Sequence, residues 1–198
     1  MYPFFESIRL LDGAPENLSY HQARVNRTIF DHLGIPIDLE LLRQKENFPA
    51  QGLYKWRVSY NTQGDTVSII QAYTTQHPTK IKLMEADHII YRYKYENRET
   101  IHQLLSQSGS SDIIMVQEGL LTDTSYANIA FFNGAEWHTP KKPILEGTQR
   151  AKLIDHAVLI EKDIYVHQLS QYHCFKRINA MMTWDDSPEL PISMLVKC

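Results

Sequence analysis

The sequence predicts an α+β protein of two domains, and three observations predict it. Strand-like runs and helix-like runs are mixed along the chain, with several hairpins among them. Of the 198 residues, 43% are hydrophobic and 22% charged, which is globular material in an amount sufficient for one sizeable domain or two small ones. The stretch TTQHPT, residues 74–79, is polar and carries a proline, and the pattern changes after it. This divides the chain into a small N-terminal α/β domain over 1–73, a linker over 74–79 and a larger C-terminal α+β domain over 80–198.

The elements follow in order. FFESIRLLDG reads as a strand ending in an Asp12-Gly13 turn. NLSYHQARVNRTIFDHLG reads as a helix capped by Asn17 or Ser19 and ended by Gly34, with Pro36 beyond; Ala23, Ile29, Phe30 and Leu33 form its expected inward stripe. A short helix is expected across IDLELLRQK. GLYKWRVSYNTQGDTVSIIQAY reads as a hairpin turning at NTQGD, with Tyr54, Trp56, Val58 and Tyr60 alternating onto one face. After the linker, KIKLMEA and HIIYRY read as strands, and ENRETIHQLLSQSG as a helix with Ile101, Leu104 and Leu105 inward. DIIMVQ is a buried-type strand before a Glu118-Gly119 turn, and IAFFNGAEWHT a hairpin around Asn133-Gly134. GTQRAKLIDHAVLIEK reads as a helix, DIYVHQL and RINAMMTW as strands. No internal repeat or low-complexity segment is present.

Several function classes are disfavoured. A net charge of −3 gives no electrostatic case for nucleic acid or a membrane surface. No run of roughly 18 apolar residues predicts a spanning helix. The N-terminal MYPFFESIRLLDG lacks the basic-then-apolar order of a secretion signal. Two cysteines, Cys174 and Cys198, are too few for a disulfide framework, which fits a reducing cytoplasm. The nine histidines, at 21, 32, 77, 88, 102, 138, 156, 167 and 173, show no ligand spacing, so no metal is expected.

Four stretches carry candidate chemistry. DTSYAN, residues 123–128, sets an acid, two hydroxyls and an amide between two apolar runs; it is either a turn or the polar lining of a pocket at strand ends. Lys94, in YRYKYENR, stands among tyrosines at an expected strand end. Desolvation there favours a neutral, nucleophilic amine, whereas a side chain that snorkels past the rings keeps its charge in water. ILEGTQR, residues 144–150, opens a helix: Gly147 admits close approach, and Thr148 and Gln149 offer first-turn N–H groups to a phosphate, or merely start a helix. His21 and Arg24 share a helix face, where Arg24 either reaches a phosphate or joins Arg27 and Asp31 in water.

Taken in order, these pieces resemble the class IV aminotransferases, the fold type IV pyridoxal-phosphate enzymes that include D-amino-acid and branched-chain transaminases and aminodeoxychorismate lyase. FESIR, residues 5–9, is close to the family's Phe-Glu-Thr-Ile-Arg strand. HQAR is similar to His-x-x-Arg, which makes Arg24 a phosphate ligand. KYEN is similar to Lys-x-x-Asn, which makes Lys94 the Schiff-base lysine and Asn97 its support. DTSYAN is similar to Glu-x-x-x-x-Asn: Asp123 takes the place of the glutamate facing the pyridine nitrogen, where a carboxylate keeps the ring protonated, and Asn128 anchors the strand beside it. ILEGTQR is similar to the segment that cradles the phosphate, implicating Gly147, Thr148 and Gln149. INAMM, residues 178–182, resembles the strand and loop closing the substrate side, and its wording is nearer the lyase.

The resemblance implies a two-domain fold type IV enzyme and a pyridoxal 5′-phosphate cofactor. It implies an amino donor or aminodeoxychorismate as substrate, and a cytoplasmic homodimer. Lys94 would act as general base, and Arg57 with the backbone at Asn179 and Ala180 would meet a substrate carboxylate. Exposed-looking Tyr2, Phe4 and Phe5 are compatible with a dimer. The departures are Asp123 for glutamate, Thr148 and Gln149 in place of an apolar residue and threonine, and a shortened N-terminal part without the usual lead-in to FESIR. They leave a second expectation open: a degenerate member that binds cofactor or a partner without turnover.

Overall fold

The computed structural model describes residues 1–34, 47–75 and 77–196. The expected helix over IDLELLRQK, Cys198 and Gln76 of the linker lie outside the described residues. The chain forms two compact units: Met1–Thr75 with Tyr93–Asn97, and Gln76–Arg92 with Arg98–Cys198. The sequence division assigned all of 80–198 to the second domain, whereas residues 93–97, Lys94 among them, pack with the first unit.

Among the described residues, the first unit is an antiparallel sheet carrying one helix. Strand β1 (Phe4–Leu11) turns through β2 (Ala14–Pro15), and helix α1 (Leu18–Leu33) follows. Strands β3 (Leu53–Tyr60) and β4 (Thr66–Ala72) form the expected hairpin, and the sheet order is β2-β1-β3-β4. Glu6 stands opposite Val58 and Ile8 opposite Trp56. The alternation on β3 holds, with Trp56, Val58 and Tyr60 buried and Tyr54 half-buried. Phe4, Val25, Ile29 and Tyr60 form one apolar cluster with Tyr93 and Tyr95 against it; Ile8, Trp56 and Val58 form another with Leu18, Phe48 and Ile70.

Helix α1 departs from its expected face. Its buried residues are His21, Arg24, Val25, Thr28 and Ile29, while Ala23, Phe30 and Leu33 are exposed. The stripe at i, i+3, i+4, i+7 does face inward, but three of its five residues are polar, so counting apolar side chains alone rotated the face. Asn17 occupies the cap position in a left-handed conformation and makes no side-chain cap bond. Phe4 and Phe5 are buried, not exposed, because residues 93–97 run alongside them: Phe5 N–H donates to the Lys94 carbonyl at 3.0 Å, and Phe4 bridges Tyr95. Tyr2 is exposed as expected.

The second unit holds two sheets. Strand β5 (Ile81–Glu85), helix α2 (Glu99–Ser108) and strand β6 (Asp112–Gln117) form a parallel crossover, and β7 (Leu120–Thr124) returns antiparallel through the Glu118-Gly119 turn. Both turn residues have positive φ, 51° and 76°, the requirement of a tight two-residue hairpin. Strands β8 (Asn128–Phe132) and β9 (Trp137–Pro140) form the Asn133-Gly134 hairpin. Helix α3 (Thr148–Asp155), β10 (Ile160–Lys162), β11 (Cys174–Ile178), β12 (Leu190–Pro191) and β13 (Leu195–Val196) complete the unit. The sheet orders are β13-β5-β6-β7 and β10-β9-β8-β11-β12.

The side-chain alternation of β8 explains the layering. Ile129 and Phe131 join Ile81, Leu83, Ile114, Val116 and Leu121 in the core between the sheets, while Ala130 faces the other way, onto Leu153 of α3 with Leu159 and Ile178.

Four further expectations fail. RINAMMTW, residues 177–184, is strand only through Ile178, where β11 ends and the chain turns back with a single bridge from Asn179 to Met182. Residues 88–93 are not a strand: the backbone leaves β5 in a turn, and Ile90 is 85% exposed. The helix from Thr148 stops at Asp155, since Ala157 adopts a left-handed φ of 55° and the chain resumes as β10. DIYVHQL is mainly a 3-10 turn over Val166–Gln171, capped by the Tyr165–Gln168 box, because a single bridge from Tyr165 to Leu120 is all the pairing it finds. No helix among the described residues is long and apolar enough to cross a membrane, and no metal-type cluster occurs among them.

Candidate active site

In the first unit, β1 delivers Glu6 to the polar face of α1. Glu6 is fully buried. Arg24 donates from Nε to Glu6 Oε1 at 2.8 Å and from a terminal nitrogen to Oε2, a two-point fork. His21 Nδ1 lies 2.6 Å from Oε2. Burial pushes the Glu6 carboxyl up, but the Arg24 charge and the hydrogen bonds from His21 and Arg24 outweigh it and hold the group down at about 2, from 4.5. Burial lowers the His21 pKa, against the opposing pull of Glu6, so the imidazole is neutral and donates through Nδ1–H.

Lys94 is half-buried, and its Nζ sits 4.8 Å from the centre of the Phe5 ring. Arg57 stacks on the same ring at 3.6 Å and is ion-paired with Glu96, which also accepts from Ser59 Oγ at 2.5 Å. Arg57, expected to meet a substrate carboxylate, thus already holds a carboxylate of the chain. Asn97 is exposed.

In the second unit, the DTSYAN segment is both a turn and a fastening. Thr124 makes the turn: its N–H and hydroxyl donate to the Ala127 carbonyl at 2.8 and 3.1 Å, and the hydroxyl accepts from Ala127 N–H at 3.0 Å. Asp123, at the end of β7, and Asn128, opening β8, project to the segment before α3. Asn128 Nδ2 donates to Asp123 Oδ1 at 2.7 Å and to the Leu145 carbonyl at 2.8 Å; Leu145 N–H donates to Asp123 Oδ2 at 2.8 Å. Gly147 follows with an ordinary φ of −74°, so conformation does not require glycine there. Space does: a Cβ at 147 would lie 1.9 Å from Asn128 Oδ1.

Asp123 is 4% exposed. Burial raises its carboxyl to about 6, from 3.8, with the Leu145 N–H, the Asn128 amide, the Arg150 charge and the Ile144 N–H only partly offsetting it. Thr148 and Gln149 are buried in the first turn of α3. The first intrahelical bond runs from Ala151 N–H to the Gly147 carbonyl, so the preceding N–H groups point out along the helix axis. Asn179 accepts from the N–H groups of Met181 and Met182 at 2.8 and 3.0 Å and donates to the Tyr126 carbonyl at 3.2 Å, while Ala180 is half-buried.

The structure thus brings together Asp123, Asn128 and Gly147 in one knot, and Arg24 with two residues given no role of their own, Glu6 and His21. Their signal was a carboxylate inside an apolar strand. A second missed group is Asp112, which accepts from Ser125 N–H at 3.2 Å, from its hydroxyl, and from Arg177 at 2.9 Å, and so pins the 123–128 turn from behind.

Each unit presents its own group: the first a lysine amine beside an aromatic ring, the second a buried carboxylate next to a glycine-opened helix. The sequence model of the class IV aminotransferases (Amino-transferase class IV) matches residues 3–184, and the chain belongs to that family, whose cofactor is pyridoxal phosphate and whose fold is type IV. An uncharacterised protein of Haemophilus influenzae is 31% identical over 186 residues, 91% of this chain and 98% of that one. A candidate 4-amino-4-deoxychorismate lyase from Haemophilus somnus 129PT, solved by crystallography, is 33% identical with a TM-score of 0.83, covering 91% of this chain and 97% of its own. A candidate amino-acid aminotransferase from Mesorhizobium loti shares the fold at 17% identity, with a TM-score of 0.77 over 98% of this chain and 99% of its own.

Proposed function

We propose that the chain is a pyridoxal-phosphate enzyme of the lyase kind, releasing pyruvate and an aromatic amine from 4-amino-4-deoxychorismate. Likeness to the Haemophilus somnus protein and the wording of INAMM support the lyase. Transamination of an amino acid is the second reading, supported by the family description. Asp123 carries the cofactor reading: a buried carboxylate among mainly neutral donors is held uncomfortably ionised near neutral pH, and a protonated ring nitrogen would relieve it. Each of its oxygens accepts one of the hydrogen bonds described above and has capacity for a second.

Pyridoxal phosphate, when bound, supplies an aldehyde that captures amines and a ring that takes up electrons from the adjoining carbon. Lys94 would be the amine that holds the aldehyde and would also move the proton of the carbon bearing the substrate amine. Asp123 would pair with the ring nitrogen; Asn128 holds Asp123 and the Leu145 backbone in place. Arg24, and separately the N–H groups of Gly147, Thr148 and Gln149, would supply donors to the phosphate. Arg57 and the backbone at Asn179 and Ala180 receive a substrate carboxylate, Arg57 exchanging it for Glu96. We further read the protein as a cytoplasmic homodimer, a reading supported by its cysteine usage and family.

Purified protein mixed with pyridoxal phosphate should gain an absorbance band at the edge of the visible, and borohydride should fix the cofactor to the peptide containing Lys94. Pyruvate release from aminodeoxychorismate identifies the lyase; keto acid from D-alanine or L-glutamate identifies the transaminase. Bound cofactor with neither product identifies a member that binds without turnover. An unmodified Lys94 peptide in excess cofactor overturns the reading.

A further inference from the structure

The fork between Glu6 and Arg24 has a directional consequence. A guanidinium is planar and carries five N–H bonds in fixed directions. Glu6 takes two of them along the edge formed by Nε and one terminal nitrogen. The remaining three are thereby aimed away from Glu6. The carboxylate is itself immobilised, since His21 Nδ1 is within 2.6 Å of Oε2 and all three side chains are buried. His21 and Arg24 sit three residues apart on one face of α1, so both reach Glu6 from the same helix turn.

We propose that Glu6 is a positioning residue for phosphate recognition: it sets the rotation of the Arg24 guanidinium so that its opposite edge meets the phosphate monoester of the cofactor, with His21 as the brace that keeps Glu6 in register. This rests on the reading of Arg24 as a phosphate ligand and deepens it. Glu6 makes no contact with the phosphate; a carboxylate beside a dianion would repel it, and the Arg24 charge between them prevents that. A neutral His21 suits the arrangement, because the buried set then holds one anion and one cation. An Arg24 without Glu6 keeps its charge but loses its fixed plane. The loss therefore falls on ligands that carry the phosphate and spares those that lack it.

The test compares pyridoxal phosphate with pyridoxal, read by absorbance and by equilibrium dialysis, on the purified full chain. Wild type should bind the phosphorylated form far more tightly. In Glu6→Gln the preference for phosphate should shrink by about tenfold or more, with pyridoxal affinity changed less than about twofold, the scale of one charge-assisted fork. The phosphorus resonance of bound cofactor should also shift, a signature that a merely structural role would not produce. Equal weakening toward both ligands, or an unchanged preference, overturns the proposal. Should Glu6→Gln fail to fold, Arg24→Gln and the Glu6→Gln/Arg24→Gln pair decide it, since two amides replace two charges. Equal phosphate preference in these two supports action through Arg24, and a further loss in the double variant overturns it. A wild type that binds neither ligand overturns the cofactor reading itself, an outcome distinct from wild-type binding with a silent Glu6.

Discussion

Glu6 in the first unit and Asp123 in the second are both buried carboxylates, yet one is pulled down to about 2 and the other pushed up to about 6. Burial acts on them in the same direction. What differs is the charge of the donors in contact. Glu6 meets a guanidinium in a fork; Asp123 meets a side-chain amide and backbone N–H groups, with Arg150 acting by charge. Hydrogen bonds from neutral donors therefore do not offset the desolvation of this anion; a cation in contact does. In the first arrangement the carboxylate already has its cation in contact. The second retains demand for positive charge, which is the property a cofactor-facing acid needs.

The largest blow to this contrast is Glu6→Gln, which leaves Arg24 buried without its counter-ion. Urea unfolding should show a loss of about 3–5 kcal/mol. Next comes pH, where the two groups act with opposite sign. The Glu6 carboxyl lies below its ordinary 4.5, so its stabilisation is present above 4.5 and lost as pH falls toward 2, about 3 kcal/mol in all. The Asp123 carboxyl lies above its ordinary 3.8, so its contribution is full below 3.8 and about 3 kcal/mol is lost as pH rises through 6. Stability curves from pH 2 to 8 should lose the lower limb in Glu6→Gln and the upper decline in Asp123→Asn.

Gly147→Ala sharpens the comparison by a different route. Its Cβ must displace Asn128 from Asp123 and Leu145, removing the amide donor, for a cost of about 2 kcal/mol in thermal or denaturant unfolding. The smallest change is Asp123→Asn at pH 8, a gain of about 1 kcal/mol in denaturant unfolding, since relief of the buried charge exceeds the lost acceptor. Its effect belongs instead in the cofactor spectrum.

Local chemistry was legible in the sequence. The Asn133-Gly134 and Glu118-Gly119 turns, the β3–β4 alternation and the β6 run need only neighbours a few residues apart, and the structure has them. The family motifs lie in order. Misreadings arose where a residue's partner is distant. The inward face of α1 is polar because Glu6, fifteen residues before His21, is there to meet it. Residues 88–93 look like a strand but find no ladder, and the run from 163 to 169 finds one bridge. At the site, the acid in DTSYAN was visible, but its fastening to Leu145, 22 residues on, was not.

The return of residues 93–97 to the first unit bears on synthesis. Phe5 and Phe4 pair with Lys94 and Tyr95, and Glu96 N–H donates to the Pro3 carbonyl at 2.9 Å. The amino-terminal strand therefore waits for its outer neighbour until the ribosome has delivered nearly half the polypeptide. A gene split after Thr75 would yield a fragment with Phe4 and Phe5 uncovered, and the missing piece would carry the lysine away with it.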